Sequence, residues 1–485
     1  MNTFRMWRGA ALIAGLLAAL PLGAHAAAPP FQAAALNPSA HHFHDAYYML
    51  QHNTYDYGST LTSWLDQGFR SLELDVIDKE DWENDANGPY VSHDSGAGNK
   101  NCSGSPDRLG HCLGDVASWL AAHPGEGPLL VFIDMKASWD PASAWNDDEV
   151  AMLDDKVRSI LGSRMYTGGD LYQYATGAAY TGSGKSLRQA VSERGWPLLA
   201  DMKGKVVVAY TGGKIGLANQ TQGNGITVIA AQSPKRLPYG FFCPDVEGNP
   251  DELNPGGTTD GISSAISQYL VCSNMAAIDN GQVTMNRAAQ HHQILHIWGD
   301  HVYSTDSFVY NYVAVAHGVS AVGRDSSPSD TFGGAIPPVG VRRSLPGYFE
   351  LRPQSSPSMC MDVSGSGGSN GTAIVLKACA GSSNQRFVYT AEGQLRPQHA
   401  GTLCADIKGG SAGNGKNVHL WDCDGGNSEK WLITSSGSFQ SYDSQSYCLE
   451  AGGSSGAQFV TKACSGGSAQ KFNLNAVSDW VQSSF

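Results

Sequence analysis

The C-terminal part of this 485-residue chain repeats itself three times, and that repeat limits its fold more than any other feature. Cys360, Cys404 and Cys448 recur every 44 residues; Cys379 and Cys423 keep the same interval, and Cys464 falls slightly early. A related ending follows each second cysteine: Asn384-Gln385-Arg386-Phe387, Ser428-Glu429-Lys430-Trp431 and Ala469-Gln470-Lys471-Phe472. A threefold period of this length means one supersecondary unit used three times. Short apolar segments such as Ala373–Leu376 and Asn417–Trp421 suit strands. Upstream, Ser326 to Pro346 is rich in Ser, Pro and Gly and reads as a linker. The chain is too long for one core, so two domains are expected, over residues 36–325 and 347–474.

Residues 1–26 read as an export signal. Arg5 and Arg8 open it, the apolar stretch Ala10 to Leu22 follows, and Ala24-His25-Ala26 supplies a small-x-small cleavage pattern. The apolar run is short of the ~20 residues that span a bilayer. A secreted protein is therefore expected, and secretion favours disulfides for its ten cysteines. Neighbour pairing is the simplest connectivity: Cys102–Cys112, Cys243–Cys272, Cys360–Cys379, Cys404–Cys423 and Cys448–Cys464, with the first two pairs left open by sequence. The formal charge of −13 speaks against nucleic acid, whose binding relies on Lys and Arg at phosphates. It also leaves no broad basic patch for anionic membranes. A monomer is expected.

From Leu36 to Asp325 the pattern changes. Candidate strands fall at 47–51, 70–76, 90–93, 129–135, 205–210, 227–231, 294–298 and 320–322, and helical apolar spacing marks Leu113–Ala122 and Glu149–Leu161. Eight strands alternating with helices suggest an α/β barrel of the (β/α)8 type. Polar residues cluster where such a barrel keeps its chemistry. His52 and Asn53 follow the first strand, Glu73 and Asp75 end the second, His93 ends the third, and Asp134 ends the fourth. Asn53, Glu73, Asp75 and Asp134 are oxygen donors, which suits a hard cation such as Ca2+. Two histidines beside that cation can handle protons and phosphoryl charge. Two other signals are weaker. His292 and His296 are one helical turn apart and read as a solvated helix face rather than a zinc site. Gly182-Ser183-Gly184-Lys185-Ser186 lacks the first glycine of a phosphate loop and reads as a plain Gly/Ser loop.

The segments Gln51-His52-Asn53-Thr54-Tyr55, Gly68 to Asp75, Val91-Ser92-His93-Asp94 and Leu129 to Lys136 resemble the catalytic half of phosphoinositide-specific phospholipase C. Retention of Glu73-x-Asp75 makes the chain similar to the calcium-dependent branch. The resemblance implies that His52 stabilises the pentacoordinate phosphate and that His93 is the general acid for the diacylglycerol leaving group. It makes Asn53, Glu73, Asp75 and Asp134 the calcium shell, one carboxylate also serving as base on the inositol 2-hydroxyl. Lys136 is a phosphate or ring contact on this reading. Asp134 stands where eukaryotic members have Glu. Because the His296-Ile297-Trp298-Gly299-Asp300 region lacks basic residues for ring phosphates, unphosphorylated phosphatidylinositol in a membrane is the expected substrate.

The threefold Cys-x-Asp, Cys and Gln-x-aromatic pattern resembles the ricin-type β-trefoil lectins, an all-β fold that binds carbohydrate. The middle repeat alone pairs an acid, Asp406, with an aromatic platform, Trp421, and has Asn417 and His419 nearby; Lys377 and Lys462 take the platform position elsewhere. Rival readings are a glycerophosphodiester phosphodiesterase, which has Arg where this chain has Asn53, and a carbohydrate-binding adhesin with an inactive barrel.

Overall fold

The computed structural model describes residues 33–79, 82–93, 101–136, 145–212, 223–232, 235–246, 250–256, 264–276, 282–298, 308–324, 336–344, 348–390, 393–434 and 437–476. The export-signal reading lies outside them. Among these described residues the N-terminal domain has ten strands: β1 (Ala46–Gln51), β2 (Ser71–Ile77), β3 (Tyr90–Val91), β4 (Leu129–Lys136), β5 (Val206–Thr211), β6 (Phe241–Phe242), β7 (Cys272–Met275), β8 (Ile294–Ile297), β9 (Ala321–Arg324) and β10 (Val339–Val341). They form two five-stranded sheets, ordered β10-β1-β9-β8-β7 and β3-β2-β4-β5-β6. Each has four parallel strands and one antiparallel edge strand, β10 or β3. Every residue of β1, β2 and β5 is buried, as expected of parallel strands covered on both faces.

Of the expected α/β barrel of the (β/α)8 type, the described residues show two mixed five-stranded sheets. At the β6 and β7 edges the sheets are tied by the Cys243–Cys272 disulfide and by two backbone bonds, from Asn274 N to Pro244 O (2.8 Å) and from Val246 N to Asn274 O (3.0 Å). Between β1 and β2 side chains intervene. The Glu73 N–H donates to Thr54 Oγ1 (2.8 Å) and the Asn53 N–H donates to Glu73 Oε2 (3.1 Å).

Three expected elements differ. Residues 90–93 do not make a central strand; Tyr90–Val91 is a short antiparallel edge on Val76 and Ile77. Residues 227–231 belong to the helix Gly223–Ala231, with Ile226 and Ile229 buried one turn apart. A short β-branched run reads as strand or helix until packing decides. Of the expected linker 326–346, residues 336–344 are described, and these are no simple tether. Val339–Val341 pairs with β1, and Tyr47 Oη donates to Pro337 O (3.0 Å). The proline pair thus lies on a sheet edge, where the missing N–H costs nothing.

The helices begin earlier than expected. Leu109–Ala122 buries Leu109, Cys112, Leu113, Val116, Trp119 and Leu120, a stripe at helical spacing. Asp147–Leu161 starts at a reciprocal cap: Asn146 accepts from the N–H groups of Asp148 and Glu149, and the Asn146 N–H donates to Glu149 Oε2 (2.8 Å).

The C-terminal domain repeats one unit. A hairpin carries the two cysteines, a short 3-10 turn follows, and a strand starts with a buried aromatic, Phe387, Trp431 or Phe472. In each hairpin the first cysteine lies opposite the platform position: Cys360 opposite Lys377, Cys404 opposite Trp421, Cys448 opposite Lys462. All five disulfides follow neighbour pairing.

Candidate active site

At the end of β1 the chain turns sharply. Asn53 sits at φ 56°, in the left-handed region that asparagine tolerates better than most residues. The turn Thr54–Asp56 follows, and Thr54 Oγ1 donates back to Gln51 O (2.7 Å). This geometry aims Asn53 and Tyr55 at β2. The Tyr55 hydroxyl donates to Asp75 Oδ2 (3.2 Å). The parallel register puts Asp75 directly beside Asp134, with Glu73 two residues earlier on the same face of β2. Four oxygen-bearing residues from β1, β2 and β4 therefore meet at one end of the sheets, with Glu73 and Asp75 buried.

Asp134 accepts from the Thr211 hydroxyl on β5 (2.8 Å). Lys136, two residues beyond Asp134 on β4, places its ammonium 2.6 Å from Asp134 Oδ2 and 3.2 Å from Asp75 Oδ2. The electrostatics follow. Burial, reinforced by Asp134 and Glu73, pushes the Asp75 carboxyl well above the usual carboxylate range against the pull of Lys136. Burial would raise Asp134 as well, but Lys136 and Thr211 outweigh it and hold that carboxyl below its ordinary value. Burial would lower the Lys136 ammonium; Asp134 and Asp75 outweigh it and keep the charge on.

The Asn53 amide faces the Asp75 carboxylate at 2.8 and 3.2 Å. With its nitrogen turned inward it donates to both oxygens. With its oxygen turned inward it forms, with Asp75, a close pair of oxygen ligands that a shared cation would reconcile. The donor set therefore fits a hard cation such as calcium. The carboxylates are not drawn tightly together, however. Among the described residues, the sets of three or more acidic, histidine or cysteine groups whose ligand atoms all fall within 4.8 Å of one another are Glu350 with Cys360 and Cys379, and Glu429 with Cys404 and Cys423. Those sulfurs are committed to disulfides. Glu73, Asp75 and Asp134 do not form such a set, and Lys136 bridges Asp75 and Asp134.

The histidines flank this cluster. The His52 N–H donates to Arg324 O (2.8 Å) on β9, and the His52 ring lies 6.0 Å from that of Trp298, which is 39% exposed at the end of β8. His93 is exposed beyond β3; the preceding Ser92 N–H donates to Asp75 O (2.9 Å), which ties this segment to the end of β2.

One residue of the site was misread from sequence. His296 is not on a solvated helix face but in β8, 1% exposed, with its ring stacked on Phe132 of the opposite sheet (centroids 4.3 Å apart). Asn274 gives its amide nitrogen to Asp245 (2.7 Å) and turns its oxygen to His296 Nδ1 (2.9 Å). That fixes the imidazole proton on Nδ1 and the lone pair on Nε2. Burial and His52 push its pKa down to about 3 against the pull of Asp134, so the ring is neutral. His292 faces elsewhere, with Nδ1 3.1 Å from Val191 O and its ring 4.3 Å from that of His44. A lone histidine amid Ile294, Leu295 and Ile297 was the available signal for an inward-facing polar group. The Gly/Ser loop behaves as a loop: Ser186 caps the helix Leu187–Arg194, and Lys185 pairs with Glu193.

In the trefoil the three acids differ in their partners. Asp362 accepts from Asn384 (3.0 Å) and Gln385 (2.9 Å). Glu450 accepts from Gln470 (2.9 Å) and pairs with Lys462 (2.6 Å). In the middle repeat Glu429 replaces the glutamine and cannot donate to Asp406, which instead accepts from Ser428 Oγ (2.6 Å) and lies 3.3 Å from His419 Nε2. Trp421 stacks on His419 (5.3 Å) and is 43% exposed; Asn417 is exposed on the same face of that strand.

Comparison with known proteins agrees with this division. Residues 99–311 match the family model for phosphoinositide phospholipase C, Ca2+-dependent, and residues 347–472 match that for the ricin-type beta-trefoil lectin domain. The chain thus joins a domain of the calcium-dependent phosphoinositide phospholipase C family to a ricin-type lectin domain. The first match includes Asp134, Lys136 and His296 but begins beyond His93. No curated protein matches the chain. Among solved structures, a calcium-dependent phosphoinositol-specific phospholipase C from a Pseudomonas species is 22% identical over 65% of this chain and 99% of its own (TM-score 0.48). A Ca2+-dependent phosphatidylinositol-specific phospholipase C from Streptomyces antibioticus is 21% identical over 63% of this chain and 100% of its own (TM-score 0.47). The C-half of an earthworm R-type lectin in complex with GalNAc is 15% identical over 27% of this chain and all of its own (TM-score 0.24).

Proposed function

We propose that this protein is an exported, calcium-dependent phosphodiesterase that cleaves phosphatidylinositol, or a glycosylated relative, to diacylglycerol and an inositol phosphate, and that its trefoil holds it on glycan-bearing surfaces. The observation that carries this reading is the meeting of Asn53, Glu73, Asp75 and Asp134 at adjacent strand ends, flanked by His52 and His93.

In this reading Asn53 and the three carboxylates hold calcium, which supplies positive charge that lowers the pKa of the inositol 2-hydroxyl. A carboxylate of the cluster takes that hydroxyl's proton as its oxygen attacks phosphorus. His52 donates to a phosphoryl oxygen as negative charge develops there. His93, exposed at the rim, delivers a proton to the departing diacylglycerol oxygen. The trefoil contributes Asp406 as acceptor for sugar hydroxyls and Trp421 as a face for ring CH groups, with Asn417 and His419 beside them.

The test is cleavage of phosphatidylinositol against glycerophosphodiesters, with calcium and with excess chelator. Calcium-dependent release of diacylglycerol is expected. Full activity in chelator, or preference for glycerophosphodiesters, would overturn the reading.

A further inference from the structure

We propose that the Lys136 ammonium is the resident cation of the carboxylate site, and that a divalent cation binds there by displacing it. The inference builds on the calcium reading above and adds a role for a residue expected only to touch substrate. Lys136 Nζ lies 2.6 Å from Asp134 Oδ2 and 3.2 Å from Asp75 Oδ2, so both contacts are to oxygens of the proposed metal shell. The register explains the placement. Asp75 pairs with Asp134 and Ile77 with Lys136, so Lys136 sits two residues further along β4 on the same face and folds back over the strand ends.

The charge balance makes a cation necessary there. Asp75 is fully buried and Glu73 nearly so, and carboxylates gathered in a dry site repel one another unless a positive group lies between them. A divalent ion on the same two oxygens would stand at contact distance from the ammonium, and like charges that close exclude each other. Lysine suits the exchange. It is a point charge on a flexible stem, whereas arginine would grip the carboxylates as a rigid fork. The side chain is 25% exposed, against none for Asp75, so a route outward exists.

The experiment uses the full chain and Lys136→Met, with Lys136→Gln as a second variant should the first fold poorly. Calcium titration by calorimetry is expected to show at least about tenfold tighter binding in the variant, as removal of one charge at contact distance predicts. In chelator the variant should melt below the parent, and saturating calcium should close the gap. In the parent, acylation of Lys136, followed by peptide mass spectrometry, should be faster with calcium than with chelator. Equal or weaker calcium binding by the variants, or acylation unchanged or slowed by calcium, would overturn the displacement. Phosphatidylinositol cleavage by the parent, assayed alongside, separates the two ideas. A parent that binds and needs calcium while the variants bind no tighter sinks this inference alone; a parent that binds no calcium sinks both.

Discussion

In the trefoil, the acids that follow each first cysteine, Asp362, Asp406 and Glu450, meet partners from their own repeat: Asn384 and Gln385 around Asp362, Ser428 beside Asp406, Gln470 and Lys462 beside Glu450. In the N-terminal domain, Asp75 on β2 meets Tyr55, Asn53, Asp134 and Lys136, brought from the ends of two other strands, β1 and β4. Local partners of the first kind satisfy a carboxylate with hydrogen bonds and leave a stable, repeatable motif. The second arrangement concentrates like charge in a buried place and needs a cation. Such a site has little use as architecture alone, which is why this domain, rather than the trefoil, is read as the seat of chemistry.

The largest expected effect tests that contrast directly. Asp75→Asn keeps the shape but removes a buried charge. It should lower phosphatidylinositol cleavage by roughly 10²–10³-fold, typical for loss of one electrostatic contact in an active site, and raise the calcium needed. Circular dichroism should show an unchanged fold. A change under threefold would mean that Asp75 is structural after all.

Proton transfer comes next. His93→Ala should reduce cleavage of a substrate with an alkoxide leaving group by roughly 10²-fold and largely spare one with a nitrophenol leaving group, which departs without a proton. Equal losses on both would remove His93 from that role.

The trefoil provides the converse. Trp421→Ala should abolish retention on a glycan resin while leaving cleavage of micellar substrate intact, and Lys377→Ala should change neither retention nor cleavage. Asp362→Ala should leave glycan retention unchanged but cost about 1–3 kcal/mol of stability, because it removes one of the two acceptors of each buried amide nitrogen of Asn384 and Gln385, leaving Val363 O and Ala378 O. Loss of glycan binding in Asp362→Ala would erase the distinction between the repeats.

The gentlest effect concerns pH. Burial, then Arg342, His292 and His42, push His44 down to about 2, and its Nδ1 accepts from Trp196 N (3.1 Å). The unfolded chain therefore takes up a proton at His44 first as pH falls below its ordinary value of 6.5. The stability this group contributes is complete above pH 6.5 and declines as pH falls toward 2, by up to about 1.4 kcal/mol per pH unit. Chemical denaturation at pH 7 and pH 5 should show the loss, and His44→Asn should flatten it. Equal slopes for parent and variant would exclude His44 as the source.

Much of this was legible in the chain because the signals are local. Cysteine spacing pointed to the three trefoil disulfides and left Cys102, Cys112, Cys243 and Cys272 open, the 44-residue period gave the repeat, and alternating polar and apolar residues in Leu72-Glu73-Leu74-Asp75-Val76 put two carboxylates on one face. The middle repeat stood out because Asp406 and Trp421 face each other's strand within one hairpin. Short buried strands such as Phe241–Phe242 and Cys272–Met275 were missed, since two to four residues carry no period to read.

The sequence by itself determined which residue types were available at each strand end, because side-chain alternation and motif order are properties of the chain. The tertiary structure alone decided that Lys136 reaches back across to Asp75, that His296 turns inward under Phe132, and that Val339–Val341 docks on β1 instead of spanning two domains. These depend on register between strands far apart in sequence, and on burial, which ranks a neutral imidazole above a charged one and draws an ammonium to carboxylates. Periodicity along one strand carries no record of what its neighbours present across the sheet.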